Sequence, residues 1–179
     1  MAEAQVPRQP HAFALWREAQ DTRIRSPLGG IYYLLAWLLT WAFSNDPGAL
    51  VLPGVVGIAL FALLLALRLL HRLPQEQSND SLSRWLNLHW SLILITALSW
   101  GAAHALAQHH PLFSSSAIIA TLSTIAFSTA LAFNFAMRKK RALLALLLIY
   151  LPGLLTLALA WREQYALLIT LSFYLSYLL

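Results

Sequence analysis

The chain has 179 residues, of which 59% are hydrophobic and only 11% charged, well under the roughly 25% charge of an ordinary soluble domain. So few charges exclude a soluble fold of this size, and the absence of cysteine excludes disulfides, thiolate metal sites and cysteine nucleophiles. The net charge of +5 would point to nucleic acid in a soluble protein, but here the placement of the charges matters more than their sum, and no nucleic-acid partner is expected.

Residues 1–27 are polar and carry Glu3, Arg8, Arg17, Glu18, Asp21, Arg23 and Arg25. They lack the features of a cleaved signal peptide and read as a cytoplasmic N-terminal segment. Phe13, Leu15 and Trp16, followed by charge up to Arg25, fit an interfacial helix over 10–26 as well as a solvated tail. Residues 28–179 then read as an all-α bundle of six membrane spans. The first, Leu28–Phe43, ends at Ser44, Asn45, Asp46, Pro47 and Gly48, a run of helix breakers. The second is Ala49–Leu70, with Pro53 in its first turn, where proline is tolerated. The third is Trp85–Ala107, the fourth Pro111–Met137 and the fifth Ala142–Trp161. The sixth, Gln164–Leu179, runs out on an apolar sequence, which leads us to expect a fragment that continues into the cytoplasm. About 20 helical residues cross the hydrocarbon, so the first and last spans are slightly short.

Topology follows from Lys and Arg. Eleven of the 12 basic residues fall in the N-terminal segment (Arg8, Arg17, Arg23, Arg25), the second-to-third connection (Arg68, Arg72, Arg84) and the fourth-to-fifth (Arg138, Lys139, Lys140, Arg141). The alternate connections hold only Arg162. The positive-inside rule then puts both termini and both basic loops in the cytoplasm of a bacterial inner membrane. The two halves share no sequence motif, which weakens a repeat-built transporter.

No Asp, Glu, Lys or Arg is expected deep in a span, against ion-coupled transport. The histidines are the main polar candidates. His89 and His104 stand fifteen residues apart on one predicted helix, about 22 Å, too far to share a metal. No second span offers a histidine for haem, and no cofactor is expected. His104, His109 and His110 are weak candidates for a metal site or pH sensing at the outer face; ordinary interfacial histidines are the simpler reading. Antiparallel helices would bring His89 to Asn134 as a structural polar pair.

Ser116, Ala120, Thr124, Ser128 and Ala132 recur every four residues in the fourth span, a small-residue stripe that lets helices approach closely. Thr124 and Ser128, with Trp100 and His104, are the candidate lining of a ligand pocket. Pro152 and Gly153, near the middle of the fifth span, should kink the helix and form a candidate hinge. Trp37, Trp41, Trp85, Trp100 and Trp161, with Tyr32, Tyr33 and Tyr165, fall mostly near predicted span ends and read as interface belts. No hydrolase, zinc-protease or phosphate-loop motif occurs, and no catalytic residue is expected in these residues.

Several of these features carry a resemblance: Ser26-Pro27-Leu28-Gly29-Gly30 entering the first span, the basic Arg68–Arg84 loop, and Ser99-Trp100-Gly101. Ala126-Phe127-Ser128-Thr129-Ala130 and the Arg138–Arg141 cluster before a Pro-Gly-containing helix add to it. Along its whole length the chain resembles the multi-pass input modules at the N-termini of proteobacterial sensor histidine kinases, hybrid kinases among them, and of diguanylate cyclases. The resemblance implies a cytoplasmic kinase or cyclase domain after Leu179 and a homodimer. The expected function is therefore a sensory input domain that detects a small-molecule or lipid-like signal. A small transporter or channel for a neutral solute and a structural subunit of a membrane complex are the alternatives.

Overall fold

The computed structural model describes residues 10–75, 78–135 and 138–179, without the side chains of 10–12 and 161–163. Arg8 and the predicted end of the fourth span at Met137 lie outside the described residues. Within them the chain forms six α-helices and no strand: α1 Pro10–Ala42, α2 Val51–Leu70, α3 Asn79–His109, α4 Ala117–Asn134, α5 Lys139–Leu159 and α6 Trp161–Leu178. A short 3-10 turn, Pro111–Phe113, precedes α4.

Four of these helices (α2, α3, α4 and α5) are long and apolar enough to cross a membrane, and the apolar stretch of α6 is the shorter Gln164–Leu178. The outer surface agrees with that reading. Phe133, Leu159 and Phe173 are 78%, 91% and 76% exposed, and on helices this apolar such outward side chains fit a lipid surround. The protein is thus a helical membrane bundle that packs against the lipid bilayer.

Several boundaries differ from the sequence reading. α1 runs through the expected break at 27/28 and through Pro27 without interruption, so the polar N-terminal stretch and the first apolar stretch are one rod. Pro111, expected to open the fourth span, instead starts the 3-10 turn, and α4 begins six residues later. The basic cluster is not a loop: Arg138 caps α5, and Lys139, Lys140 and Arg141 form its first turn. Cations at a helix N-terminus oppose the backbone dipole. Two contacts offset this, an ion pair between Arg138 and Glu18 of α1 and a 2.6 Å hydrogen bond from Arg141 to Asn87 Oδ1 of α3.

α3 is the central helix and touches α1, α2, α4 and α5, while α6 lies outside, against α5 and the edge of α4. The α1–α2 hairpin closes by aromatic rings lying on glycines. Trp37 rests on Gly57 and Trp41 on Gly54, with no room for a side chain at either glycine. The Trp37 indole N–H donates to the Gly54 carbonyl at 3.1 Å and the Trp41 indole N–H to Pro47 at 3.0 Å. Asp46 accepts from the Ala49 amide at 3.0 Å and sets the turn between the helices. Asn45 binds Ser114 Oγ at 2.8 Å and the Ser115 amide at 3.1 Å, which ties the α1–α2 and α3–α4 connections together at one end. The arginines of α1, the end of α2 and the starts of α3 and α5 gather at the other, hereafter the basic end.

Trp37, Trp85, Trp100 and Tyr33 are buried, which corrects their assignment to interface belts: their rings fill the bundle interior. Tyr32 and Tyr165 are exposed, as a belt requires. Tyr33, Phe61, Trp100 and Phe127, one ring from each of the first four helices, form the middle of the core. Their centroids stand 5.0 Å apart for Trp100–Phe127, within the range of favourable ring contacts, and 4.2 Å apart for Tyr33–Phe127, slightly closer than that range.

Candidate functional site

The small-residue stripe of α4 faces inward. Ser116, Ala120, Thr124 and Ser128 are all buried, and the hydroxyls among them join helices. The Trp100 indole N–H donates to Thr124 Oγ1 at 2.9 Å, and the Thr124 hydroxyl donates within its own helix to the Ala120 carbonyl. Ser128 donates to the Ile125 carbonyl. A hydroxyl has one proton, so it is the Tyr150 hydroxyl that donates to Ser128, at 2.9 Å. By the same argument Thr129 donates to Ile125 and receives the Tyr174 proton at 2.5 Å. Three bonds therefore lead from α3 to α4, from α5 to α4 and from α6 to α4. Tyr174 makes the one side-chain hydrogen bond that ties α6 to another helix among the described residues.

His104 is buried between α3, α4 and α5. Its Nε2 stands 3.2 Å from Gln108 Nε2 and 3.5 Å from Thr121 Oγ1, and Gln108 donates to Thr121 at 2.7 Å. The ring is in close contact with Gly153, where an added Cβ would meet His104 Nδ1 at 2.6 Å. Pro152 and Gly153 therefore sit where α5 presses closest on α3, beside Gly101. Of the four pocket candidates, Trp100 and Thr124 are bonded to each other, Ser128 is occupied by Tyr150, and His104 belongs to a separate polar group with Gln108 and Thr121. All four are buried, and the side chains that fill the space around them are the protein's own.

The three outer histidines do not converge. His104 turns inward, His109 is exposed, and His110 accepts from the Leu112 amide at 3.3 Å and meets the Phe113 ring edge-on. Among the described residues no three His, Asp or Glu side chains are grouped to hold a metal ion. The His89–Asn134 pairing is also corrected. His89 Nδ1 stands 3.2 Å from His71 Nδ1, and the His71, Trp85 and His89 rings stack at centroid distances of 4.7–5.5 Å. Asn134 instead accepts from Arg25 at 3.2 Å. The sequence reading placed His89 at the correct end but gave it the wrong neighbour, because His71 lies just past α2 in a segment read only for its charge. Burial lowers the His71 pKa below the ordinary imidazole value.

Arg68 is the most consequential side chain that sequence reasoning passed over. It was counted with the cytoplasmic loop; in the structure it lies in the last turn of α2 and is 4% exposed. Its Nη1 donates to the Ser26 carbonyl at 3.2 Å and its Nη2 to the Leu92 carbonyl at 3.3 Å, while its Nε has no partner. A lone charge at the end of the leucine-rich run Ala59–Leu70 was the available signal. Arg68 forms the back of a cleft of about 240 Å³ between α1 and α4 at the basic end. No known protein-family description, curated protein or solved structure matches this chain.

Proposed function

We propose that this chain is a membrane-embedded sensory input domain that responds to a small or lipophilic signal. It passes the response through α6 to a cytoplasmic histidine kinase or diguanylate cyclase domain of the kind its sequence resembles. The observation that carries the reading is the chain of interior hydroxyl contacts, Trp100–Thr124, Ser128–Tyr150 and Thr129–Tyr174. It connects the central helix to the outermost one through α4. Thr124, Ser128 and Thr129 each also have a carbonyl acceptor in their own helix, so a tyrosine can leave without orphaning the serine or threonine proton. That supports two helix packings of similar energy, the condition for a switch.

The basic end faces the cytoplasm in this reading, by the positive-inside rule, and both termini lie on that side of a bacterial inner membrane that α1–α6 cross six times. Ile169, Phe173 and Tyr177 form an exposed apolar stripe along α6, a surface suited to a second copy in the homodimer that kinase and cyclase outputs need. The test is to join α6 to a reporter kinase or cyclase domain and compare output from the full chain, from the Tyr174→Phe variant and from α6 alone. Output that is the same in all three overturns the proposal, and solute flux through proteoliposomes would favour a transporter instead.

A further inference from the structure

The cleft backed by Arg68 has the chemistry of a binding site, and it is separate from the hydroxyl chain of the interior. We infer that it holds an anionic amphiphile: an acidic headgroup against Arg68 and Arg25, with its alkyl chain along the apolar walls.

The first observation is an uncompensated buried charge. Arg68 is bonded only to two neutral carbonyls, and the one ion pair among the described residues, Arg138 with Glu18, is elsewhere. An isolated buried cation is costly unless it is paired. The guanidinium retains its free Nε–H, which together with a terminal N–H forms the fork that matches a carboxylate or phosphate. The second observation is independent of the first. Ser26, 3% exposed, also lines the cleft, and its Oγ has no partner. Two buried side chains that line the same cleft, the Arg68 guanidinium and the Ser26 hydroxyl, thus each hold a polar atom without a partner just behind its wall.

The surroundings select the rest of the ligand. Arg25 adds a second guanidinium, and the lining contains no Asp or Glu. Tyr33, Ile93, Phe127 and Leu131 make the walls apolar. Leu28 and Tyr32, at the rim, are 57% and 59% exposed, so the cleft opens sideways between α1 and α4, toward the place of lipid. A small soluble anion would leave those walls wet, and a neutral lipid would leave Arg68 unpaired. An acidic head on an alkyl chain satisfies both. Such a molecule is either an anionic phospholipid of the membrane or a single-chain acid.

The site does not rest on the sensory reading, and its test reads binding alone. The full chain is placed in phosphatidylcholine nanodiscs with either dioleoylphosphatidylglycerol or oleate added, and native mass spectrometry counts the amphiphile retained per protein. Wild type should keep one anionic molecule in preference to phosphatidylcholine. Arg25→Gln, at an exposed position and with a side-chain amide that still offers Asn134 a donor, should lower retention about tenfold, equivalent to about 1.4 kcal/mol, with thermal unfolding checking that the bundle is intact. Ser26→Ala, which breaks no internal hydrogen bond, should lower it several-fold. Arg84→Gln removes an equal charge from the basic end outside the cleft and should change nothing. Retention of phosphatidylglycerol alone identifies a phospholipid, and retention of oleate alone a single-chain acid; either supports the site. Retention no better than that of phosphatidylcholine, or an equal loss in Arg84→Gln and Arg25→Gln, overturns it.

Discussion

Gly101 of α3 lies directly against the carbonyl oxygen of Leu148 in α5, the oxygen that Pro152 leaves without its helical N–H donor. Proline removes one backbone bond four residues back, and the freed carbonyl needs a neighbour that does not crowd it. Glycine is that neighbour. Gly101→Ala should therefore destabilise the bundle by about 1–3 kcal/mol, the usual cost of overpacking. Gly29→Ala, whose Cβ would stand 3.9 Å from Arg68 Nη1, should be close to neutral. Thermal unfolding of the two variants in detergent checks the contrast; equal melting would show that α3 and α5 are not in close contact.

The Ser128–Tyr150 bond lends itself to a double-mutant cycle. Ser128→Ala leaves the buried Tyr150 hydroxyl unpaired and should cost about 1–3 kcal/mol. Tyr150→Phe removes the donor and leaves Ser128 bonded to Ile125. The double variant should lose less than the two single losses added, by about 0.6 kcal/mol or more, the range of interhelical bonds in membrane proteins. Strict additivity would mean that the two side chains do not interact.

A third prediction concerns pH. Burial lowers the His71 pKa, so the folded protein binds this proton more weakly than the unfolded chain does. Stability from the neutral ring is complete above the ordinary histidine value of about 6.5. It declines as pH falls below that value, because the unfolded state then takes up more protons. Melting temperature should drop between pH 7 and pH 5 in the wild type, and the slope should be shallower in His71→Gln. An identical slope in both would assign the acid sensitivity to other groups.

The side-chain bonds of Asn45 to Ser114 and the Ser115 amide put two connections on one face of the membrane. Because the chain has no cysteine, single thiols report cleanly. A membrane-impermeant maleimide should label Asn45→Cys and Ser114→Cys from the same side of intact cells. In the proposed orientation, Ser83→Cys, beside Arg84 at the basic end, should react only after permeabilisation. Labelling of Asn45→Cys and Ser114→Cys from opposite sides would break the fold's layout.

What the sequence made legible was governed by one-dimensional rules. Apolar length located α2, α3, α4 and α5, and the four-residue spacing of Ser116, Ala120, Thr124 and Ser128 marked the buried face of α4. What each inward group touches depends on helix rotation and depth, which spacing within one helix leaves open. That is why Ser128 was found without Tyr150, and why His89 was given to Asn134 rather than His71. Arg68 was misread for a different reason. Counting charge by connection treats every arginine near a span end as solvated, and a side chain that folds back into the bundle looks the same in sequence. The 27/28 division had a similar origin: the change from polar to apolar residues marks a change of surroundings, while α1 itself continues through it.

The unbroken α1 has a mechanical consequence. Its 33 residues make a rod about 50 Å long, against a hydrocarbon layer of about 30 Å, so much of its first half projects past the lipid tails. With Trp37 bedded on Gly57 as the fulcrum, Glu18 stands about 28 Å out along the arm. A lean of only about 5° there would sweep Glu18 by about 2.5 Å, enough to loosen its grip on Arg138 and free the start of α5.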